Sequence, residues 1–123
     1  MVHRLYDKIG GRTTITNLVR IFYEKAQADQ TLGQFFQNAD MEGLRARQAM
    51  FLTMLLGGEQ KFTGRDLGAA HADARKKGMD DATFDTLLRL FRESLDQMQV
   101  DGEYTEEIIE RLESTRSAVL GRG

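Results

Sequence analysis

The chain has no cysteine and no proline, and only two histidines in 123 residues. The missing cysteine excludes a disulfide framework, a thiolate zinc site and a cysteine nucleophile, and it suits a reducing compartment. Cytoplasm is therefore the expected location. The missing proline removes the strongest helix breaker, so helices can run unbroken between glycines. No apolar run approaches the roughly 20 residues that span a bilayer, and the opening Met-Val-His-Arg-Leu-Tyr lacks the apolar stretch of an export signal. No membrane association is expected. Seventeen basic residues face nineteen acidic ones, a formal net charge of -2 with no long basic stripe, which argues against binding to a phosphate backbone. Nucleic acid is not an expected partner. A chain of this length holds one core and no room for a second, so residues 1–123 are expected to form one domain.

The glycines fall as punctuation, at 10–11, 57–58, 64, 78, 102 and 121–123, between segments with helical periodicity. A short helix is predicted over 3–9. The next runs over 13–28, with Thr13 or Thr14 as its cap and Ile15, Leu18, Val19, Phe22 and Ala26 on its apolar face. A helical stretch over 32–36 follows. Asp40 then caps a helix over 41–56 in which Leu44, Gln48, Phe51 and Leu55 recur at spacings of three or four, and Gly57-Gly58 ends it. Residues 59–70, with Gly64 and Gly68, read as loop leading into a helical turn over 67–74 that carries His71. Asp80 or Asp81 opens a helix to about Met98 whose wide apolar face holds Phe84, Leu87, Leu88, Phe91 and Leu95. Thr105 is expected to cap a last helix with Ile108, Ile109, Leu112 and Val119, and the tail 121–123 to fray. No repeat and no strand-like alternation competes, so the fold class is all-α.

Common catalytic motifs find little support. Gly57-Gly58 and Gly64 have neither the spacing nor the preceding strand of a phosphate-binding loop. Ser94, Ser114 and Ser117 carry no mark of a nucleophile that His71 could activate. The pairs Asp80-Asp81 and Glu106-Glu107 read as helix starts, where negative charge meets the positive end of the dipole. By residue type alone His71 reads as an ordinary, locally satisfied side chain. An iron centre would have to hang from its single imidazole, since His3 is the only other histidine.

A series of blocks changes that reading. Leu5-Tyr-Asp-Lys-Ile-Gly-Gly11, Phe22-Tyr23-Glu-Lys-Ala-Gln-Ala-Asp29, Phe35-Phe36-Gln-Asn-Ala-Asp-Met41, Gln48 with Phe51, Leu56-Gly-Gly58, Phe62-Thr-Gly-Arg65 and Ala70-His71, then Phe84, stand in one order over about residues 4–119. Together they resemble the truncated (two-over-two) haemoglobins, most closely their first group. The resemblance implies a globin-like helical sandwich around haem b (iron protoporphyrin IX), with His71 as the proximal iron ligand and Phe36 packed near the haem edge. It also implies that Tyr23 directs its hydroxyl at the gas ligand, with Leu44 and Gln48 above the same face.

The residues are compatible with those roles and with plainer ones. Adjacent helical positions diverge by about 100°, so Phe22 can enter the core while Tyr23 turns toward a cofactor. Tyr23 equally suits a boundary tyrosine, and Gln48 a boundary amide, although a Tyr23–Gln48 pair would satisfy both. Some relatives carry a second iron-binding histidine one residue before the distal glutamine, where this chain has Arg47. The resemblance therefore implies a pentacoordinate-capable iron, its sixth position open to water, an exogenous ligand or, in the ferric state, Tyr23. Arg47 reads either as a propionate partner or as a solvated charge, and so does the run Arg75-Lys76-Lys77, which could also attract a reductase. Phe51, Phe62, Leu67, Met79, Phe84 and Leu88 are expected to bound the cofactor and fit core packing as well; Met79 reads as packing rather than as a second ligand.

Three functions follow from the resemblance and its alternatives. Reversible dioxygen binding by a monomer comes first, with carbon monoxide and nitric oxide as further gas ligands. Conversion of nitric oxide and dioxygen to nitrate, with an external electron-donating reductase, is the enzymatic alternative. A haem-free helical interaction protein is the third.

Overall fold

The computed structural model describes residues 4–57 and 68–122. Along the chain run α1 (Leu5–Lys8), α2 (Gly11–Ala28), a 3-10 turn (Gly33–Phe36), α3 (Met41–Gly57), α4 (Ala72–Lys76), α5 (Asp81–Gln97), α6 (Gly102–Glu113) and α7 (Arg116–Val119). Residues 68–70 are also helical and reach a turn at His71. The fold is an all-α helical sandwich: α2 packs on both α3 and α5, α5 packs on α6, and α1 leans on α2 and α3.

The expected faces of α2, α5 and α6 are largely the buried ones, whereas α3 buries Leu52, Leu55 and Leu56 and leaves Leu44, Gln48 and Phe51 of its expected stripe half-buried. Ile15, Leu18, Val19, Phe22 and Ala26 of α2 join Leu52, Leu55 and Leu56 of α3, Leu90, Phe91 and Leu95 of α5, and Ile108 and Leu112 of α6 in one core. Each fully buried aliphatic side chain contributes about 1.5–3 kcal/mol relative to exposure. Phe22 and Phe91 stack with centroids 3.9 Å apart and planes 10° from parallel, which locks α2 against α5.

Capping differs from expectation at two places. Neither Thr13 nor Thr14 caps α2; the helix starts earlier, at Gly11, and Gly10 takes the cap position at φ 114°. A Cβ on Gly10 would lie 2.3 Å from Thr14 Oγ1, so both backbone and space demand glycine there. The Thr14 hydroxyl instead donates to the Ile9 carbonyl at 2.7 Å and ties α2 back to the end of α1. Likewise Thr105 is buried within α6, and Asp101 makes the cap, accepting from Glu103 N–H at 2.9 Å. Asp caps better than Thr because a charged acceptor meets the positive helix end. Elsewhere the expectation holds: Asp40 accepts from Gly43 N–H at 3.1 Å, and Asp80 accepts from Thr83 N–H at 3.0 Å.

The last predicted helix is two. Thr115 Oγ1 donates to the Leu112 carbonyl at 2.7 Å and competes with the helical ladder, so α6 ends at Glu113 and α7 restarts at Arg116. The tail is tied down rather than frayed as far as Arg122, whose N–H donates to the Ser117 carbonyl and whose guanidinium pairs with Asp81. α5 closes in a Schellman turn in which Gln99, at φ 61°, and Val100 donate to the Asp96 and Leu95 carbonyls. The predicted loop over 59–70 lies outside the described residues as far as 67, and its last three residues, 68–70, are helical.

Candidate functional site

Tyr23 follows Phe22 on α2, and the divergence of neighbouring helical positions gives the two rings different surroundings. Phe22 is in the stack with Phe91, whereas Tyr23 meets Phe22 edge-on at 5.1 Å and Phe36 edge-on at 5.7 Å. The Asp29 carboxylate sets up that second contact. It accepts from the N–H groups of Thr31 and Leu32 at 2.8 and 3.0 Å, turning the chain out of α2 so that the 3-10 turn carries Phe36 back to Tyr23.

Tyr23 is 7% exposed. Burial pushes its phenol up to about 12, opposed by the positive charge of Arg47 and Arg45 on α3. At neutral pH it is therefore a protonated O–H donor. Among the described residues neither its hydroxyl nor the Gln48 amide has a hydrogen-bond partner, so the expected Tyr23–Gln48 pair is not formed. The hydroxyl is not sealed from solvent, since among the described residues Thr105 Oγ1 is the buried side-chain atom left without a partner, so the Tyr23 O–H stays open to a ligand. Leu44 and Gln48, one turn apart on α3, are half-buried; Arg47 is exposed, and its charge nonetheless reaches the Tyr23 phenol.

His71 occupies the cap position before α4 and is half-buried. Its N–H donates to the Gly68 carbonyl at 3.3 Å, and its carbonyl accepts from Arg75 N–H at 3.0 Å. Gly78, at φ 104°, lets the chain leave α4 in a Schellman turn whose last bond runs from Met79 N–H to the Ala74 carbonyl at 3.0 Å. Among the described residues no three His, Cys, Asp or Glu side chains gather to hold a metal ion. A lone imidazole holds iron firmly only where a prosthetic group supplies the other donors, and a macrocycle with four nitrogens meets that need. The donor set and the partnerless Tyr23 hydroxyl both fit haem.

The comparisons agree with this geometry. The family model for bacterial-like globins matches residues 4–121. A group 1 truncated haemoglobin of Tetrahymena pyriformis is 33% identical over 120 residues, covering 96% of this chain and 95% of that protein. The crystal structure of the 2/2 haemoglobin from Synechococcus sp. PCC 7002, with covalently attached haem, superposes with a TM-score of 0.89 at 32% identity, covering 98% of this chain and all of that one. The Fe(III) truncated haemoglobin of Tetrahymena pyriformis superposes at 0.84 with 30% identity, covering 96% and 98%. The chain belongs to the group 1 truncated haemoglobins.

The remaining expected pocket residues of this truncated haemoglobin divide by surroundings. Phe51 and Leu88 are half-buried and pack against the core, and Met79 is half-buried at the exit from α4. Phe84 is buried outside that core, with the Arg116 guanidinium 4.7 Å above its ring centroid, so one face is occupied by a cation. Phe62 and Leu67 lie outside the described residues. Sequence reasoning missed Arg45 and did not separate Arg75 from the charged run that it opens. Arg45 adds to the field at Tyr23, and no periodicity rule distinguishes it from a solvated charge. Arg75 is half-buried while its neighbours Lys76 and Lys77 are exposed; its place one turn after His71 was the available signal. Among the described residues no helix is long and apolar enough to cross a membrane.

Proposed function

We propose that this truncated haemoglobin holds haem b through His71 and binds dioxygen reversibly on the side lined by Tyr23, Gln48 and Leu44. The observation that carries the reading is Tyr23, 7% exposed as a residue and kept neutral by desolvation, whose hydroxyl has no protein partner among the described residues. When bound, haem b would supply an iron able to take up one diatomic ligand and to shift electron density onto it.

The chain's residues act on that density. Tyr23 offers its O–H without first breaking a hydrogen bond to any described residue, and its ring is held by Phe22 and Phe36 on two edges. Preorganisation of this kind removes the cost of turning a donor toward its acceptor. Arg47 and Arg45 add positive potential from α3, which favours the same negative charge. Gln48 supplies a second donor one turn from Leu44, whose aliphatic surface limits water. In the chain without iron the raised phenol pKa keeps Tyr23 protonated and able to donate. Arg47, where some relatives have histidine, offers no second imidazole to the iron. Among the described residues Met50 is the one exposed large hydrophobic side chain, a surface suited to a monomer.

Reconstitution with one equivalent of haem tests the reading. Ferric, ferrous, dioxygen and carbon-monoxide spectra are recorded for wild type beside His71→Ala and Tyr23→Phe. Stoichiometric uptake and stable gas complexes in wild type, loss of specific uptake in the histidine variant and faster dioxygen release in the tyrosine variant are expected. Absence of stoichiometric uptake, or uptake indifferent to His71, would overturn it in favour of a helical interaction protein.

A further inference from the structure

Arg75 does not share the solvent with the lysines that follow it. Its Nη1 donates to the Gly68 carbonyl at 2.7 Å and to the Val119 carbonyl at 2.9 Å, the second bond crossing 44 residues of sequence. The Gly68 carbonyl is the same oxygen that accepts from His71 N–H, and the Arg75 N–H in turn donates to the His71 carbonyl. The backbone on both sides of His71 is thus closed into one hydrogen-bonded ring by the Arg75 side chain. Through Val119 that ring is fastened to α7.

The contact is close on its other sides too. A Cβ on Gly68 would lie 3.2 Å from the Ala118 carbonyl oxygen, and one on Gly121 would lie 3.0 Å from Arg75 Nε. α7 is itself anchored, because Arg116 pairs with Asp81 and Asp85 at the start of α5. The need for such fastening follows from length. α4 is five residues long, far below the 12–15 or so at which an isolated helix becomes even marginal, so its placement must come from tertiary contacts. A guanidinium suits the task because the two N–H bonds of Nη1 are fixed in its plane and can serve two carbonyls in set directions, whereas the ammonium of lysine rotates freely on a flexible stem.

We propose that Arg75 is the positioning residue of the iron-binding imidazole, setting the orientation of His71 by stapling its backbone to α7. This rests on His71 being the iron ligand. The test uses the haem-loaded chain: resonance Raman measurement of the iron–histidine stretching band in the ferrous state and the rate of haem loss to excess apomyoglobin, for wild type, Arg75→Met, Arg75→Lys, Gly68→Ala and His71→Ala. Groups that orient a metal ligand typically change metal affinity 10- to 100-fold when removed, so Arg75→Met should shift or broaden the band and speed haem loss about tenfold. Arg75→Lys should restore part of both. Gly68→Ala, which crowds Ala118 while keeping the guanidinium, should move the band in a smaller degree and keeps the idea testable if Arg75→Met does not fold. An unchanged band in the Arg75 and Gly68 variants, even with lowered thermal stability, would reduce Arg75 to an ordinary structural contact and overturn the proposal, provided His71→Ala has lost the band. If His71→Ala retains it, the ligand assignment itself is wrong and the positioning role falls with it.

Discussion

Replacing Tyr23 by phenylalanine should change ligand retention and stability in opposite directions. The ring keeps its edge contacts with Phe22 and Phe36, at 5.1 and 5.7 Å, and only the hydroxyl is lost. That hydroxyl has no hydrogen-bond partner among the described residues, so its removal leaves no protein group orphaned. A fully buried hydroxyl without a partner costs about 1–3 kcal/mol on mutational scales, and the Tyr23 hydroxyl, which is not sealed from solvent, falls below that range. The apoprotein variant is therefore expected to match wild type or to gain up to about 1 kcal/mol in urea unfolding. With haem and dioxygen the sign reverses. A hydrogen bond to a charged acceptor contributes about 1.5–3 kcal/mol, which corresponds to roughly ten- to a hundred-fold faster dioxygen release. Carbon monoxide gathers less charge and should respond by a smaller factor. Stopped-flow displacement of each gas measures both rates. Dioxygen release within twofold of wild type, or an apoprotein destabilised by more than about 1 kcal/mol, would refute the reasoning. The first result would mean that the hydroxyl does not meet the ligand, the second that it already has a protein partner.

Alkaline titration reports on the same group. Its folded-state pKa of about 12 exceeds the ordinary 10.0, so the native state holds the proton more tightly than the unfolded chain. The resulting stabilisation is fully present below about pH 10 and is lost as pH rises through about 12, a total of about 2–3 kcal/mol. Tyr23→Phe should flatten that part of the stability curve, and equal slopes for the two proteins would count against it. Gln99 takes a left-handed conformation at φ 61°, which costs a non-glycine residue about 1–2 kcal/mol. Gln99→Gly should consequently raise the urea midpoint by the equivalent of about 0.5–1 kcal/mol after the added chain entropy; a fall would show that the glutamine side chain makes a compensating contact. Phe91→Ala removes the partner of the 3.9 Å stack between α2 and α5. A loss of about 3–5 kcal/mol is expected, and one below about 1 kcal/mol would mean that the α2–α5 interface is not closely packed.

The helical class was readable because the apolar spacing of Ile15, Leu18, Val19, Phe22 and Ala26, and of Phe84, Phe91 and Leu95, is a local property of the chain. Asp40 and Asp80 were readable as caps for the same reason, since a cap bonds to a group three residues away. Thr13, Thr14 and Thr105 misled because a hydroxyl near a helix start has several carbonyl and N–H partners within reach, and the choice depended on Gly10 and Asp101 beside them. The family was legible from the order of several blocks and agrees with the globin match over residues 4–121. No single residue would have sufficed, as Tyr23, Gln48 and His71 each have a plain reading by type.

What the sequence determined by itself was therefore what depends on near neighbours: the helices, the inward faces of α2, α5 and α6, most of their ends, and a pattern of blocks that marks the family. Tertiary structure decided the state of the site. Only the packing of α2, α3 and the 3-10 turn buries the Tyr23 phenol, brings Arg45 and Arg47 within electrostatic reach and raises its pKa. Only the meeting of α4 with α7 turns Arg75 from an apparent surface charge into a bond across 44 residues. Desolvation and long-range hydrogen bonds depend on which distant segments exclude water together, and sequence spacing carries no record of that.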